Sequence, residues 1–198
     1  HARVVVCLPT LVDVIGANAT FVVGSRARTV DSVASVYARM AFSPAITYTR
    51  PGRFYTEPLF VFLDSERWFA QFRWSYVNRS YSLLPLQYPG VVVSVGGPGV
   101  NSLTYALNPP GRVGAGGLPF YFDPSVGGIR DARSGAVWRK DVAVVAVVPN
   151  GSRVYVLIWG LSGEDSRRAG RWLAECVPPR AYAVVINTTD FRILASWP

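Results

Sequence analysis

VYVLIWG-LSGEDSRRAGRWLA, residues 154–174, carries the pattern that decides the fold. Its first half is an unbroken β-branched and aromatic run ending at Gly160. A short polar loop follows, then an arginine-rich amphipathic segment stopped by Pro178-Pro179. The pattern predicts a strand, a glycine at its end, a loop and a helix. Two earlier stretches have the same grammar: TFVVG-SRARTVDSVASVYARM (residues 20–40) and VVVSVGG-PGVNSLTYAL (residues 91–107). Strands that are apolar on both sides of the pleat need cover on both faces. The expected class is therefore α/β, a mostly parallel sheet built from three strand–glycine-loop–helix units. In such sheets the loops collect at the carboxyl ends of the strands, where ligands usually bind. Thr29 or Asp31, Asn101, and Ser162 or Asp165 stand where helix N-caps belong, and acidic groups in a first turn suit the helix dipole.

The rest of the chain fits around these units. VAVVAVV (residues 142–148) and RVYVLIW (residues 153–159), joined by Pro149-Asn150-Gly151-Ser152, read as a β-hairpin. Residues 3–8, 181–186 and 191–195 read as further strands, the terminal ones suited to extending a neighbour's sheet edge. Val33, Val36, Tyr37, Met40 and Ala41 recur at helical spacing and predict the buried face of a helix over 30–42, ended by Pro44. Between 46 and 90 the composition changes to a dense aromatic set, among them Phe60, Phe62, Trp68, Phe69, Trp74 and Tyr81. There LFVFL (59–63) and RWFAQFRWSYV (67–77), separated by Asp64-Ser65-Glu66, predict an aromatic hairpin. Core and inter-subunit packing is the favoured role for these rings, ahead of a stacking platform for sugars or single-stranded nucleic acid. Residues 111–117 are glycine-rich and read as a loop. The chain is thus expected to be one domain, residues 1–198, with an α/β core at 1–45 and 91–198 and an aromatic β insertion at 46–90.

Composition narrows the function. The chain has 198 residues, half of them hydrophobic and 16% charged, which excludes a disordered tail. Its apolar runs are too short for a transmembrane helix. Twenty basic and twelve acidic residues leave a net charge of +8, with Lys140 the sole lysine. The arginines are scattered rather than gathered in a stripe, so nucleic acid is not the expected partner. His1 is the only histidine. No phosphate-loop glycine motif, CxxC pair or metal-ligand spacing is present. Asp64 with Glu66, Glu164 with Asp165, and Asp31 are candidate acids and bases, but carboxylates at helix starts are ordinary caps. No catalytic residue, metal or cofactor is assigned, and the chain is read as non-enzymatic.

Two features point outside the cell. Four of the six asparagines, Asn18, Asn78, Asn150 and Asn187, open an Asn-x-Ser/Thr sequon, where chance gives roughly one. Cys7 and Cys176, near opposite ends of the chain, read as one disulfide in an oxidising compartment. His1, with no methionine or leader pattern at the start, reads as the beginning of either a processed product or an excised piece of a longer chain. The expectation is a secreted glycoprotein carrying N-linked glycans.

The three units also resemble a family. Val22-Val23-Gly24 with Asp31 and Ala34, then Gly96-Gly97-Pro98 with Asn101, then Gly160 with Ser162, Glu164, Asp165, Ser166, Arg167 and Ala169 are similar, in the same order, to segments of the α/β domain of archaeal surface-layer (S-layer) proteins. The resemblance covers about half the chain, and the GGP-x-x-N and GEDSRRA segments are its more specific parts. It implies a structural protein of an archaeal cell surface, either a lattice component or an extracellular filament subunit. Such a protein assembles with copies of itself or with other surface proteins. The alternative is an extracellular binding module that uses aromatic and arginine side chains to hold glycan or DNA.

Overall fold

A computed structural model of the chain describes residues 9–17, 19–24, 29–42, 45–50, 53–57, 60–63, 72–75, 80–83, 91–150 and 153–198. In chain order the elements begin with the one-turn helix α1 (Leu11–Val14), β1 (Ala19–Val23), α2 (Thr29–Arg39), β2 (Ala45–Arg50), β3 (Arg53–Glu57) and β4 (Phe60–Leu63). Next come β5 (Phe72–Ser75), β6 (Ser80–Leu83), β7 (Val91–Val95), α3 (Ser102–Leu107), β8 (Phe120–Asp123), β9 (Gly128–Asp131) and β10 (Val137–Trp138). The chain closes with β11 (Val142–Asn150), β12 (Arg153–Gly160), α4 (Gly163–Glu175), β13 (Ala183–Asn187) and β14 (Ile193–Trp197).

Seven strands form one sheet in the order β14-β13-β11-β12-β7-β1-β4. β4, β1, β7 and β12 pair in parallel, while β12–β11, β11–β13 and β13–β14 are antiparallel. The sheet is therefore mixed rather than mostly parallel. The reason is connection length, since a parallel neighbour needs a crossover of about a dozen residues or more. The helix-bearing connections after β1 and β7 supply that. The expected β11–β12 hairpin keeps its pairing down to Asn150 and Arg153, leaving only residues 151–152 between the strands.

The alternation along each strand sorts the core into two layers. Phe21, Val93, Val145, Val156 and Ile158 face α2 and α4, meeting Ala34, Ala38, Ala169, Trp172 and Leu173. Val22, Val92, Val144, Leu157 and Trp159 face the other way, onto Leu103 and Leu107 of α3 and onto Phe120 and Ile129. Those last two belong to a three-stranded antiparallel sheet, β10-β9-β8, which covers the second face. Each fully buried Val, Leu or Phe in these layers contributes roughly 1.5–3 kcal/mol.

Two further sequence expectations are corrected. The first concerns LFVFL, which among the described residues is not paired with β5. Its strand β4 pairs parallel with β1 from Thr20↔Phe60 to Val23↔Leu63, and β5 pairs instead with β6. A fully apolar strand gains more on the open edge of a covered sheet than in an isolated hairpin. The antiparallel character expected of 46–90 is present in β2–β3 and β5–β6; the aromatic side chains of this block lie outside the described residues.

The second correction is the buried face of α2. Ala34, Ser35, Ala38, Ala41 and Phe42 are buried, whereas Val33, Val36 and Met40 are 39%, 56% and 70% exposed. The cause is the closeness of α4: a Cβ on Gly170 would lie 2.7 Å from the carbonyl oxygen of Ala34. Helix backbones that close leave room only for alanine between them. The glycine-rich stretch at 111–117 is a loop, as expected, with a single 3-10 turn at Ala115–Gly117. It is held at both ends, by Gly111 N–H to the Phe122 carbonyl (2.7 Å) and Gly114 N–H to the Leu118 carbonyl (2.9 Å).

Candidate functional site

β1, β7 and β12 all end at one edge of the sheet, and each ends in a glycine that its surroundings demand. A Cβ at Gly24 would sit 1.8 Å from the Val100 carbonyl oxygen, and one at Gly160 would sit 2.3 Å from Cβ of Asp165. Gly96 has φ +108°, which side-chain-bearing residues rarely adopt. The loops therefore press against each other directly, and the expected convergence of the three glycine loops is present.

Asn101 is the centre of this edge. As N-cap of α3, its Oδ1 accepts from the N–H groups of Leu103 (3.0 Å) and Thr104 (3.3 Å). Its Nδ2 donates to the carbonyls of Val22 (3.1 Å) and Val95 (2.9 Å), the ends of β1 and β7. The chain leaves β1 toward β4 on one side and returns to β7 on the other, so the topological switch point lies between β1 and β7. That is where open α/β sheets usually bind ligands. Here the side chain of Asn101, 1% exposed, clamps that point. Thr104 supports it, donating from Oγ1 to the Gly96 carbonyl and sharing a 2.8 Å hydroxyl contact with Ser94.

The third loop is tied in the same manner. Ser162 caps α4, accepting from the Asp165 N–H (3.1 Å), and Asp165 Oδ2 accepts back from the Ser162 N–H (3.1 Å) and hydroxyl (2.7 Å). Asp165 Oδ1 takes the buried Thr188 hydroxyl at 2.6 Å. Ser166 Oγ accepts the Gly160 N–H (3.0 Å). The N-cap expectation thus resolves to Ser162 with Asp165 as its reciprocal partner. Thr29 and Asp31 lie inside the first turn of α2. Asp31 is buried between the other two loops: a Cβ on Gly96 would be 3.8 Å from its Cγ, and one on Gly163 would be 3.7 Å from its Oδ1.

Glu164 faces outward and bonds Arg167 and Arg168. The Arg167 guanidinium, with Arg168 behind it, holds the Glu164 carboxyl well below its usual range, at about 2, against a smaller opposing cost of burial. Arg167 also lies over the Tyr37 ring, 5.6 Å from its centroid, linking α4 to α2.

Between the loops is a cleft of about 480 Å³, lined by Asp31, the Gly97–Pro98–Gly99–Val100 turn, Phe122, Trp159 and the segment from Gly160 to Gly163. A shallower hollow of about 300 Å³ beside it is lined by Arg139, Lys140, Asp141, Glu164, Asp165 and Arg168. The polar side chains of Asn101, Ser162, Asp165 and Ser166 are occupied in joining backbone segments. The cleft is therefore walled mainly by apolar side chains and peptide groups, with Asp31 in its lining. Among the described residues no group of three His, Cys, Asp or Glu side chains could hold a metal ion, and no helix is long and apolar enough to cross a membrane.

The remaining sequence-derived residues fall in several places. Asn187 ends β13, half-buried, with Oδ1 accepting from the N–H groups of Thr189 (2.8 Å) and Asp190 (3.3 Å). Asn150 ends β11, its side chain outside the described residues, as are Asn18 and Asn78. Cys176, the C-cap of α4, is a free, half-buried thiol whose ionisation burial disfavours. Cys7, its expected disulfide partner, lies outside the described residues. One residue was missed by sequence reasoning: Asn108, wholly buried, accepts from Trp159 Nε1 (3.0 Å) and donates to the Phe120 carbonyl (2.9 Å), joining α3, β12 and β8. The only signal was its place before Pro109-Pro110, which reads as a helix stop. No protein-family model, no curated protein and no solved structure matches the chain, so its residues alone carry the functional argument.

Proposed function

We propose that this chain is a secreted, non-enzymatic structural protein of an archaeal cell surface, of the S-layer kind, assembling with copies of itself or with other surface proteins. The observation that carries the reading is the use made of the polar residues at the strand ends. Asn101, Thr104, Ser162, Asp165, Ser166 and Thr188 bond backbone or one another, where an enzyme would aim such groups into the cleft. They are also the residues, or direct partners of the residues, on which the S-layer resemblance rests. On this reading the three strand–glycine-loop–helix segments are variants of one unit whose loops are braces.

The sequons support an extracellular location. Asn187 stands at the turn between β13 and β14, next to exposed Thr189 and Asp190, a surface setting of the kind glycosylation requires. Assembly through strand addition would use the outer side of β14, the last strand of the sheet among the described residues. Its Ser196 carbonyl already accepts from Arg133 at 3.0 Å, which narrows the edge available to a neighbour. The deciding experiment is intact mass plus negative-stain imaging of protein isolated from its native source. Added mass on sequon peptides together with regular sheets or fibres is expected. A monomer of unmodified mass would overturn the reading.

A further inference from the structure

The outer edge of β14 is where one side chain does what a neighbouring strand would otherwise do. β14 bonds to β13 through Trp197, whose carbonyl accepts from the Tyr182 N–H at 2.8 Å. In an antiparallel pair the adjoining residue points its N–H and carbonyl the other way, so those of Ser196 face outward. No further strand lies beyond β14 among the described residues. An open edge of this kind is a template for another chain. Here the Ser196 carbonyl is met by Arg133, whose Nη2 donates to it at 3.0 Å from 63 residues away in sequence.

Arg133 is fixed in that position by the small sheet. Its Nε and Nη2 bind the two carboxylate oxygens of Asp131, at 3.1 and 3.0 Å. Its guanidinium lies over the Phe120 ring, 5.2 Å from the centroid. Asp131 and Phe120 are themselves buried, so the arginine is presented to β14 as a rigid fork. Charged side chains set against an edge strand prevent edge-to-edge pairing. Two β14 edges laid antiparallel about a twofold axis would match the same groups on both sides. With the arginines in place, each Ser196 carbonyl would meet its own chain's guanidinium where it needs the neighbour's N–H. The Arg133 side chain is still 41% exposed, and its one bond to β14 is open to exchange for a backbone N–H. We propose that Arg133 is an autoinhibitory guard: in place it keeps β14 from pairing with β14 of a second copy, and its displacement from Ser196 opens the edge. The inference rests on the reading of this chain as self-assembling, and adds the residue that controls the assembly edge.

The test is sedimentation velocity of the full chain over a concentration series, comparing the native sequence with Arg133→Gln, each of unchanged circular dichroism. A second form, Arg133→Gln/Asp131→Asn, leaves no unpaired buried carboxylate and guards against a folding defect. Loss of the guard should tighten self-association at least tenfold in both forms. Adding Ser196→Pro removes the outward N–H of β14 and should return either form to native behaviour. A brace with no guarding role would lower the urea midpoint and leave sedimentation unchanged, which overturns the proposal. Association that persists with Ser196→Pro overturns it too, because another surface is then in use. Imaging of the native-source protein separates the two ideas. Regular arrays there, with Arg133→Gln no more associated than the native chain, would retire the guard and keep the assembly reading. Association of the variant through β14, with no arrays from the native source, would keep the guard and retire that reading.

Discussion

Asn101 shows most plainly how one residue type serves this fold. Only an amide offers an acceptor for two helix N–H groups and two donors for two strand-end carbonyls. Asn101→Ala leaves four backbone groups without their partner at a buried position. About 2–4 kcal/mol of stability should be lost, read as a lower urea midpoint with an unchanged slope. Asn101→Asp keeps the shape and the cap but sets a carboxylate against the Val22 and Val95 carbonyls. It should cost at least as much near neutral pH, and less in acid, where the protonated group can donate one bond. An alanine variant of wild-type midpoint would show that the clamp is redundant. In sequence, Asn101 is visible as a cap; its second role is not, because the Val22 carbonyl lies 79 residues away along the chain.

At the level of elements, the contact between α2 and α4 decides which residues of each helix are buried. Spacing alone gave α2 a helix correctly and then selected its larger apolar residues as the inner face, because hydrophobic size is what a periodicity reads. The choice was made by Gly170, whose missing side chain lets α4 close onto the Ala34 carbonyl. Gly170→Ala, normally favourable within a helix, should here cost about 1–3 kcal/mol by forcing the helices apart. Gly170→Val should cost more. Thermal unfolding of the two variants checks this, and a stabilised alanine variant would refute the close approach. The β11–β12 hairpin was legible because its turn is local, but its register was not: the pairing runs on through Pro149↔Val154 to Asn150↔Arg153, where the sequence suggested a four-residue joint. The pairing of β4 with β1 was not legible either, since it depends on which sheet edge is open.

For the whole molecule, the lowered carboxylate pKa values predict how stability falls in acid. The Ser125 hydroxyl, then Arg130, lower the pKa of Asp123. Burial works against ionisation of Asp131, but Arg133 outweighs it and the net shift is downward. Glu164 is held at about 2. Each folded-state pKa lies below its unfolded value, so the stabilisation is complete above the ordinary carboxylate range near pH 4. It is lost as pH falls through the lowered values toward about 2. Urea midpoints should therefore be level at pH 5–7, as far as these three groups govern them, and decline below about pH 4. Glu164→Gln should remove part of that decline. Because the Glu164 side chain is 46% exposed, solvent screening keeps its share to about 0.5 kcal/mol. An identical acid slope in the variant would show that the Glu164–Arg167 pair contributes nothing.

The sequence by itself determined the α/β class of the fold, the three strand–glycine–helix segments and the Asn101 and Ser162 caps, because these depend on alternation, helical spacing and backbone freedom within a few residues. It also brought Gly24, Gly96 and Gly160 to one edge, since parallel strands leave their carboxyl ends together. Tertiary structure decided what those loops do. It placed Asn101 in the crevice where a ligand would sit, Thr188 on Asp165, and the small β8–β10 sheet over the second face. It also turned the larger side chains of α2 outward. Each of those outcomes depends on distances between segments far apart in the chain, and the close contact of two helix backbones follows from such a distance, with no local pattern of residues to announce it.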